Sequence, residues 1–233
     1  MNSSASSIRA ADPPLRREET LLVALLLGFV GGYLDAYTWI THGVLANAQT
    51  ANLVFLWVNA TAAKWQQAFQ FVPPLFAFFI GVMLAAWLRR EIGGKAGQVS
   101  LLIEIVMLVL VGILHSRVPE VAGTLGISMV AAMQTSIFTR VEGSTYSSVM
   151  ITGNFRQAIE CAFSLMVRDE QVRLLRKSSV FMGVCAAFGT GAATGAFLTE
   201  RLPTLTLTVP IFALLAVLLL CSAARPLSAI EQR

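Results

Sequence analysis

The chain has 233 residues, of which 56% are hydrophobic and only 13% are charged. Soluble domains usually carry roughly a quarter charged residues, so this composition excludes an ordinary soluble domain and predicts a membrane protein. The formal net charge of +4 does not indicate a nucleic-acid partner, because in a membrane protein the placement of basic residues matters more than their sum.

The chain begins with a segment that lacks hydrophobic periodicity. Residues 1–18 are rich in Ser, Ala and Pro and predict a disordered cytoplasmic tail. A cleaved signal peptide is the alternative interpretation, since Ala46-Asn47-Ala48 has a small-x-small pattern. This pattern lies too far beyond the first apolar run, and past Asp35, to favour that alternative.

Six apolar runs follow, and each is long enough or nearly long enough to cross a membrane, which takes about 20 apolar residues. They occupy residues 21–40, 71–88, 99–114, 121–138, 178–198 and 202–224. We expect one all-α integral membrane domain over residues 19–224 and a second cytoplasmic tail over residues 225–233.

The basic residues predict the orientation of these six spans. With the N-terminus inside, fourteen Lys and Arg residues fall on the cytoplasmic side, and only Lys64, Arg117 and Arg201 fall outside. Cytoplasmic loops of membrane proteins carry an excess of Lys and Arg. The sequence therefore predicts a multi-pass protein of a bacterial inner (plasma) membrane with both termini in the cytoplasm.

Two further stretches, 46–63 and 149–167, would give eight crossings if both spanned. Eight crossings would move the basic residues of segment 89–95 to the outside, and the second stretch carries Arg156 and Glu160, which are costly against lipid. Six spans is the better interpretation. Arg156 and Glu160 are spaced i, i+4 and predict a local ion pair on a helix.

An internal repeat relates the two halves of the chain. Thr50-Ala51-Asn52 recurs as Thr152-Gly153-Asn154, and the pattern of segment 79–85 recurs in segment 181–187, both at an offset of 102 residues. Repeat one covers about residues 20–115 and repeat two about 121–224. Because each repeat holds three spans, the second must enter the membrane from the opposite side, as in many channels and transporters.

The T-x-N motifs predict where a solute would bind. Thr and Asn are favoured at helix N-caps, so each motif is expected to cap a re-entrant or broken half-helix preceded by irregular backbone. An inward-pointing helix N-terminus offers free amides to a polar or anionic solute. The predicted substrate-binding residues are Thr50, Asn52, Thr152, Gly153 and Asn154.

The chain resembles the YoaK family of bacterial membrane proteins, which is defined by a domain of unknown function. The resemblance is carried by the segment GFVGGYLDAYTW with Gly28, Gly31 and Asp35, by Gly43, by both T-x-N motifs and by the later Gly-rich span. It covers roughly residues 20–222. It implies six or so membrane helices and no established activity.

Several single residues carry separate expectations. Asp35 lies within a span, where a carboxylate usually faces an interior partner or a water path, so we expect it to couple protons or shape the field. Glu104 is expected to be solvated near a membrane surface and His42 to be interfacial. The Gly residues of the first and fifth runs are expected to serve helix packing, with Gly28, Gly32, Gly183, Gly189, Gly191 and Gly195 as members.

The leading functional hypothesis is a small-solute transporter or channel with its pathway between the two inverted repeats. The alternatives are a non-transporting membrane partner or assembly protein, for which the basic segment RDEQVRLLRK offers a docking element, and a membrane enzyme. The sequence lacks HExxH, a nucleophile elbow, a phosphate-binding loop and paired carboxylates, so no enzyme, cofactor or metal site is expected. The expected partners are the lipid bilayer and a small polar or anionic solute, and a homo-oligomer remains open.

Overall fold

The structure is a computed structural model that describes residues 16–114, 120–165 and 171–223. These residues are almost entirely helical. The α-helices are α1 (Leu21–His42), α2 (Gln49–Thr61), α3 (Trp65–Phe69), α4 (Val72–Ile92), α5 (Ala96–Leu114), α6 (Glu120–Ile137), α7 (Ile151–Ser164), α8 (Gln171–Arg201) and α9 (Thr208–Ser222). The other described elements are two 3-10 turns, Arg17–Glu19 and Gly93–Lys95, and the short strands β1 (Arg140–Val141) and β2 (Ser144–Thr145).

Helices coincide with all six predicted apolar runs, so the all-helical class is confirmed. Within the described ranges, three helical stretches are long and apolar enough to cross a membrane: Leu21–His42, Trp65–Leu114 and Val172–Arg201. Val121–Ile137 and Thr208–Ser222 are shorter apolar helices. The apolar character of these helices is that of a membrane protein.

The stretch from Trp65 to Leu114 is a helical hairpin of α4 and α5. A Cβ added to Gly81 of α4 would collide with the carbonyl of Met129, while Met107 of α5 packs on Gly126, less than one turn away along α6. In one straight helix Gly81 and Met107 would be about 39 Å apart and could not both contact the same turn of α6. The chain reverses at Gly93, whose φ of +51° is a left-handed value that favours glycine.

α1 and α5 begin at the same end of the helix bundle, where α4 and α6 end. Glu18, just before α1, lies beside Gly97 at the start of α5 and close to Phe138, which follows α6. The Arg89 guanidinium at the end of α4 donates to the Ser136 carbonyl at 2.9 Å. This end is called the first end of the bundle below.

α8 also begins at the first end, and α9 ends there. The Gln98 side chain donates to the Cys221 carbonyl at 3.2 Å, which joins the start of α5 to the end of α9. The Glu142 amide donates to the Glu19 carbonyl at 2.7 Å, and the Glu142 carboxylate binds Arg176 of α8. The six long helices therefore alternate in direction along the chain.

Glycines bring α1 and α8 into backbone contact. A Cβ added to Gly32, Gly191 or Gly195 would collide with backbone atoms of Phe188, Phe29 or Tyr33, respectively, and one added to Gly28 would lie 3.3 Å from the Val184 carbonyl. Close approach of helix backbones at small residues is typical of membrane helix pairs. The predicted packing role is confirmed for these glycines, whereas it is wrong for Gly189, where an added Cβ would meet nothing within 4 Å.

The sixth predicted run starts too early. It was expected from residue 202, but α9 begins at Thr208 because residues 202–207 form a turn. In this turn the Thr206 hydroxyl donates to the Leu202 carbonyl at 3.0 Å, and the Tyr33 hydroxyl of α1 donates to the Thr206 carbonyl at 2.5 Å. The turn thus ties the loop between α8 and α9 to α1.

Two terminal segments were predicted as tails. Residues 1–15 and 224–233 lie outside the described residues, so the predicted tail 225–233 is wholly among them. Of the predicted tail 1–18, the described part starts at Arg16, and Arg17–Glu19 form a 3-10 turn against the strand pair. The folded part of the chain therefore includes at least residues 16–19.

The segment before the second T-x-N motif was predicted to be irregular, but it opens with a hairpin. β1 and β2 pair antiparallel, with Arg140 opposite Thr145. The two residues between the strands, Glu142 and Gly143, have φ of 45° and 75°, which is the left-handed pair that a tight two-residue hairpin needs.

Candidate functional site

Two loops precede the two half-helices and define the candidate site. The first loop, residues 43–48, joins α1 to α2, and the second loop, residues 146–150, joins β2 to α7. α2 begins at Gln49 and α7 at Ile151, so the helix starts keep the offset of 102 residues that the sequence motifs showed. The repeat therefore extends from the motifs to the local fold.

Asn52 holds the first loop closed. Its Oδ1 accepts from the Leu45 amide at 3.1 Å, and its Nδ2 donates to the Leu45 carbonyl at 2.6 Å and to Gln49 Oε1 at 3.0 Å. The Asn52 side chain is fully buried. Leu45 lies in irregular structure and has no backbone partner among the described residues for its N–H and C=O groups. The side-chain amide of Asn52 supplies both hydrogen bonds instead.

Asn154 makes the same clamp in the second loop. Its Oδ1 accepts from the Ser147 amide at 3.3 Å, and its Nδ2 donates to the Ser147 carbonyl at 2.6 Å. Ser147 stands 102 residues after Leu45, as Asn154 does after Asn52. The two halves therefore share a hydrogen-bonded loop closure as well as a sequence motif.

The predicted N-cap role of the two motifs is wrong. The N-cap residues are Ala48 and Met150, and neither makes a side-chain cap bond. Asn52 and Asn154 are the fourth residues of their helices, and their amides bond back to the loop instead of forward to the first turn. Each half-helix accordingly has its N-cap four residues before the asparagine of its motif.

Asp35 also fixes the first loop. Its Oδ1 accepts from the Asn47 amide at 2.7 Å, and the side chain is buried in α1. One turn later, the Thr38 hydroxyl accepts from the Ala46 amide at 3.1 Å. Asp35 therefore lies in the interior and has a named partner, as expected for a carboxylate within a span.

The second loop has its own polar anchors on α6. The Gln134 side chain donates to Ser148 Oγ at 2.9 Å and to the Leu27 carbonyl of α1 at 3.3 Å. Thr135 Oγ1 lies 3.1 Å from Ser147 Oγ, in a hydrogen bond. Gln134 therefore anchors the second loop as Asp35 anchors the first.

The two loops meet at Gly31 of α1. Asn47 Nδ2 donates to the Gly31 carbonyl at 3.0 Å, and a Cβ added to Gly31 would lie 2.8 Å from Val149 Cγ1 and 3.1 Å from the Ser148 carbonyl. Gly31 is midway along the 22 residues of α1, a helix about 33 Å long. Both loops therefore reach the middle of the bundle.

One polar atom at this meeting point is left over. Asn47 Oδ1 is buried and has no hydrogen-bond partner among the described residues, although Asn47 Nδ2 and the Asn47 amide are both bonded. An unpartnered buried acceptor costs about 1–3 kcal/mol, so such an atom in a native protein calls for a partner. The atom marks a place where a donor group would bind.

The remaining motif residues lie on the outside of the half-helices. Thr50, Thr152 and Gly153 are exposed, whereas Asn52 and Asn154 are buried. A Cβ added to Gly153 would meet nothing within 4 Å, so the difference between Ala51 and Gly153 has no steric consequence. Only the asparagine of each motif points toward the loops.

Glu104 is not near a solvated surface, and that expectation is wrong. The residue is fully buried in α5, and neither carboxyl oxygen has a hydrogen-bond partner within the described part of the chain. Ser100, one turn earlier on α5, is also buried with an unpartnered hydroxyl. Glu104 was misjudged because α5 begins at Ala96, before the predicted start, and turns this side chain inward.

Sequence reasoning missed the residues that the two asparagines and α1 hold. Leu45, Asn47 and Ser148 belong to no motif. Only the offset of 102 residues, applied to Leu45 and Ser147, could have indicated the shared closure.

The described residues contain no group of three or more His, Cys, Asp or Glu that could hold a metal ion. Arg156 and Glu160 form the predicted ion pair at 3.6 Å on the exposed surface of α7.

The comparison with known families gives one match. The family described as "Protein of unknown function (DUF1275)" matches residues 23–220, which is most of the chain, and it includes the YoaK-type proteins. No curated protein and no solved structure matches the chain. The resemblance to the YoaK proteins is thus confirmed, and the chain belongs to the DUF1275 family of proteins of unknown function.

Proposed function

We propose that this protein is an inner-membrane transporter or channel for a small polar or anionic solute, with its pathway between two inverted repeats. The observation that carries the proposal is the convergence of the two loops on Gly31, halfway along α1. Substrate sites of inverted-repeat transporters lie near the midplane beside interrupted helices. No catalytic step is part of the proposal.

The alternating helix directions support six membrane crossings. α1, α5 and α8 start at the first end of the bundle, and α4, α6 and α9 finish there. α2 and α7, with 13 and 14 residues, begin beside the two loops that meet halfway along α1, so each covers only about half the depth of the bundle. They fit re-entrant half-helices, each of which enters from one side of the membrane.

The charge distribution supports an orientation with the first end in the cytoplasm. The described basic residues there are Arg16, Arg17, Arg89, Arg90, Lys95, Arg140, Arg173, Arg176 and Lys177. The opposite end carries Lys64, after α2, and Arg201, at the end of α8. The positive-inside rule favours the first end as the cytoplasmic one.

In this proposal the T-x-N asparagines build the solute site through the loops that they hold. Both polar atoms of the Asn52 side chain are already bonded, to Leu45 of the first loop and to Gln49 of α2. The atom available to a solute is Asn47 Oδ1, beside Asp35 and across Gly31 from the second loop, and as an acceptor it would bind a hydroxyl or N–H group of the solute. Asp35 then couples protons or sets the field at that point.

The direct test is transport by the purified protein in liposomes of phosphatidylethanolamine and phosphatidylglycerol. The liposomes are incubated with a bacterial metabolite extract, and their contents are compared by mass spectrometry with those of protein-free liposomes. We expect a small polar or anionic solute to enter only with the protein present. The experiment is repeated with a pH gradient imposed in each direction across the liposome membrane. If no solute enters under either gradient, the transport proposal fails.

A test that needs no substrate uses cysteine accessibility, after Cys161, Cys185 and Cys221 have been replaced by Ala. Val149→Cys, at the meeting point of the loops, is compared with Val184→Cys, on the packed α1 and α8 interface. We expect a membrane-impermeant thiol reagent to modify position 149 from one side of the membrane and to leave position 184 unmodified. An inert position 149 would favour a non-transporting assembly protein.

A further inference from the structure

A large cavity opens at the first end of the bundle, away from the candidate solute site. Its volume is about 1470 Å³. Its walls come from the residues before α1, the end of α4, the hairpin of β1 and β2, and the first turns of α8. Both repeats therefore contribute to this cavity.

The cavity is strongly basic. Its lining contains three carboxylates, Glu18, Glu19 and Glu142, and twice as many cationic side chains, which are Arg16, Arg89, Arg140, Arg173, Arg176 and Lys177. The lining thus has a net excess of three positive charges. Clefts lined by one sign of charge concentrate counter-ions.

The acidic groups are largely neutralised by neighbours in the lining. Arg176 binds both carboxylate oxygens of Glu142, at 2.6 and 3.0 Å, and Arg16 lies 3.5 Å from Glu18. These pairs leave only the carboxylate of Glu19 without an ion pair in the described structure. Two of the three negative charges of the lining are therefore already paired.

Three of the cations keep their donors available. Arg140, Arg173 and Lys177 make no ion pair or side-chain hydrogen bond with any described residue, and each lines the cavity. They come from β1 and from the first two turns of α8. Arginine presents a planar fork that matches phosphate oxygens, and lysine binds phosphate as a point charge.

Part of the cavity lining is apolar. Phe138, Val180 and Phe181 are buried and line the cavity together with the basic side chains. A cavity lined by both cationic and apolar side chains suits a phosphate headgroup that carries acyl chains. Basic pockets between membrane helices on the cytoplasmic side bind lipid headgroups in this way.

We propose that this cavity binds a phosphate group, carried by an anionic phospholipid or by a free phosphate ester, through Arg140, Arg173 and Lys177. The site is separate from the meeting point of the two loops and does not depend on transport. It ties the hairpin of the second repeat to the start of α8 at the membrane surface. Binding therefore stabilises the packing of the β1–β2 hairpin beside the first turns of α8, within the second repeat.

The test measures thermal unfolding of the full-length protein in a neutral detergent. Inorganic phosphate is added at an ionic strength matched with chloride, and dioleoylphosphatidylglycerol is compared with dioleoylphosphatidylcholine in mixed micelles. We expect phosphate or phosphatidylglycerol to raise the unfolding midpoint, and phosphatidylcholine or chloride to leave it unchanged. A rise with inorganic phosphate identifies a free-phosphate site, and a rise with phosphatidylglycerol alone identifies a lipid headgroup site.

Matched variants separate a site from general charge attraction. Arg173→Gln with Lys177→Gln removes two charges from the cavity, and Lys64→Gln with Arg201→Gln removes two from the opposite end. We expect the rise in the unfolding midpoint to be at least tenfold smaller in Arg173→Gln with Lys177→Gln than in wild type. In Lys64→Gln with Arg201→Gln we expect the wild-type rise. The proposal is overturned if neither phosphate source raises the midpoint, or if both pairs respond alike.

Discussion

Asn154 repeats, 102 residues later, the two hydrogen bonds that Asn52 makes to the backbone of the residue seven positions before it. An asparagine amide that both donates to and accepts from one backbone residue acts as a substitute for a strand partner. Two such closures at one offset are difficult to obtain by chance. They show that the internal repeat includes the loop closure as well as the sequence motif.

The first prediction concerns these closures. Asn52→Ala and Asn154→Ala each leave a backbone amide and carbonyl without their partner, and each orphaned buried group costs about 1–3 kcal/mol. We expect each variant to lower the free energy of unfolding by about 2–4 kcal/mol, measured by circular dichroism in mixed micelles. Because the two closures share no partner, the losses should add in the double variant.

The exposed threonines of the same motifs are the matched controls. Thr50→Ala and Thr152→Ala remove hydroxyls that make no described side-chain hydrogen bond, so we expect no change in stability beyond about 0.5 kcal/mol. A loss of transport without a loss of stability in Thr50→Ala would place the solute on the outer face of α2. Stable Asn52→Ala protein would show that the closure is dispensable.

The sequence predicted the six long helices because apolar runs bounded by charged or turn-forming segments are visible locally. It also predicted the extra helices α2 and α7, and the repeat that relates them. The starts of these helices were missed because the prediction rested on N-cap preferences, which describe bonds within one turn. Asn52 instead bonds to Leu45, and no cap rule includes a partner at that spacing.

The inward placement of Glu104 was equally hidden, because periodicity alone does not say which face of a uniformly apolar helix meets its neighbours. α5 has leucine, isoleucine and valine all round, so Leu101 and Leu102 are indistinguishable in sequence, yet the first is buried and the second is exposed. Packing against α6 and α9 decides the face. The buried face of α5 is therefore determined by residues that are distant in the sequence.

The second prediction concerns the glycine contacts of α1 and α8. Gly32→Ala and Gly191→Ala place a methyl group on backbone atoms that cannot move aside, so we expect losses of about 1–3 kcal/mol or more. Gly189→Ala and Gly153→Ala enter open space on helices and should be neutral or stabilising by up to about 1 kcal/mol. Equal effects at positions 32 and 189 would contradict the packing of α1 on α8.

The third prediction concerns the buried carboxyl group of Glu104. Glutamine has nearly the same shape and no charge, so Glu104→Gln should keep or raise the free energy of unfolding, whereas Glu104→Ala should lose about 2 kcal/mol by opening a cavity. A Gln variant as unstable as the Ala variant would mean that the carboxylate has a bonded partner.

The fourth prediction concerns Asp35. Asp35→Asn keeps an oxygen that can accept from the Asn47 amide but removes the charge, so we expect near-normal folded yield and a changed pH dependence of transport. Thr38→Val is the control, because it breaks the neighbouring bond to the Ala46 amide without touching a titratable group. It should lower stability and leave the pH profile as in wild type. An unchanged profile in Asp35→Asn would reduce that residue to a loop anchor.

The last prediction tests the six crossings and their orientation. Reporter fusions after Lys95 and Lys177 should be cytoplasmic, because both residues stand at the first end of the bundle with most of the described basic side chains. Fusions after Lys64 and Arg201 should be external, since Lys64 follows α2 and Arg201 ends α8 at the opposite end of the bundle. Arg117 and Arg233 lie outside the described residues and are expected to be external and cytoplasmic, respectively. An external reporter at Lys95 would mean that α2 crosses the membrane, and the first loop could then not meet the second at the middle of the membrane.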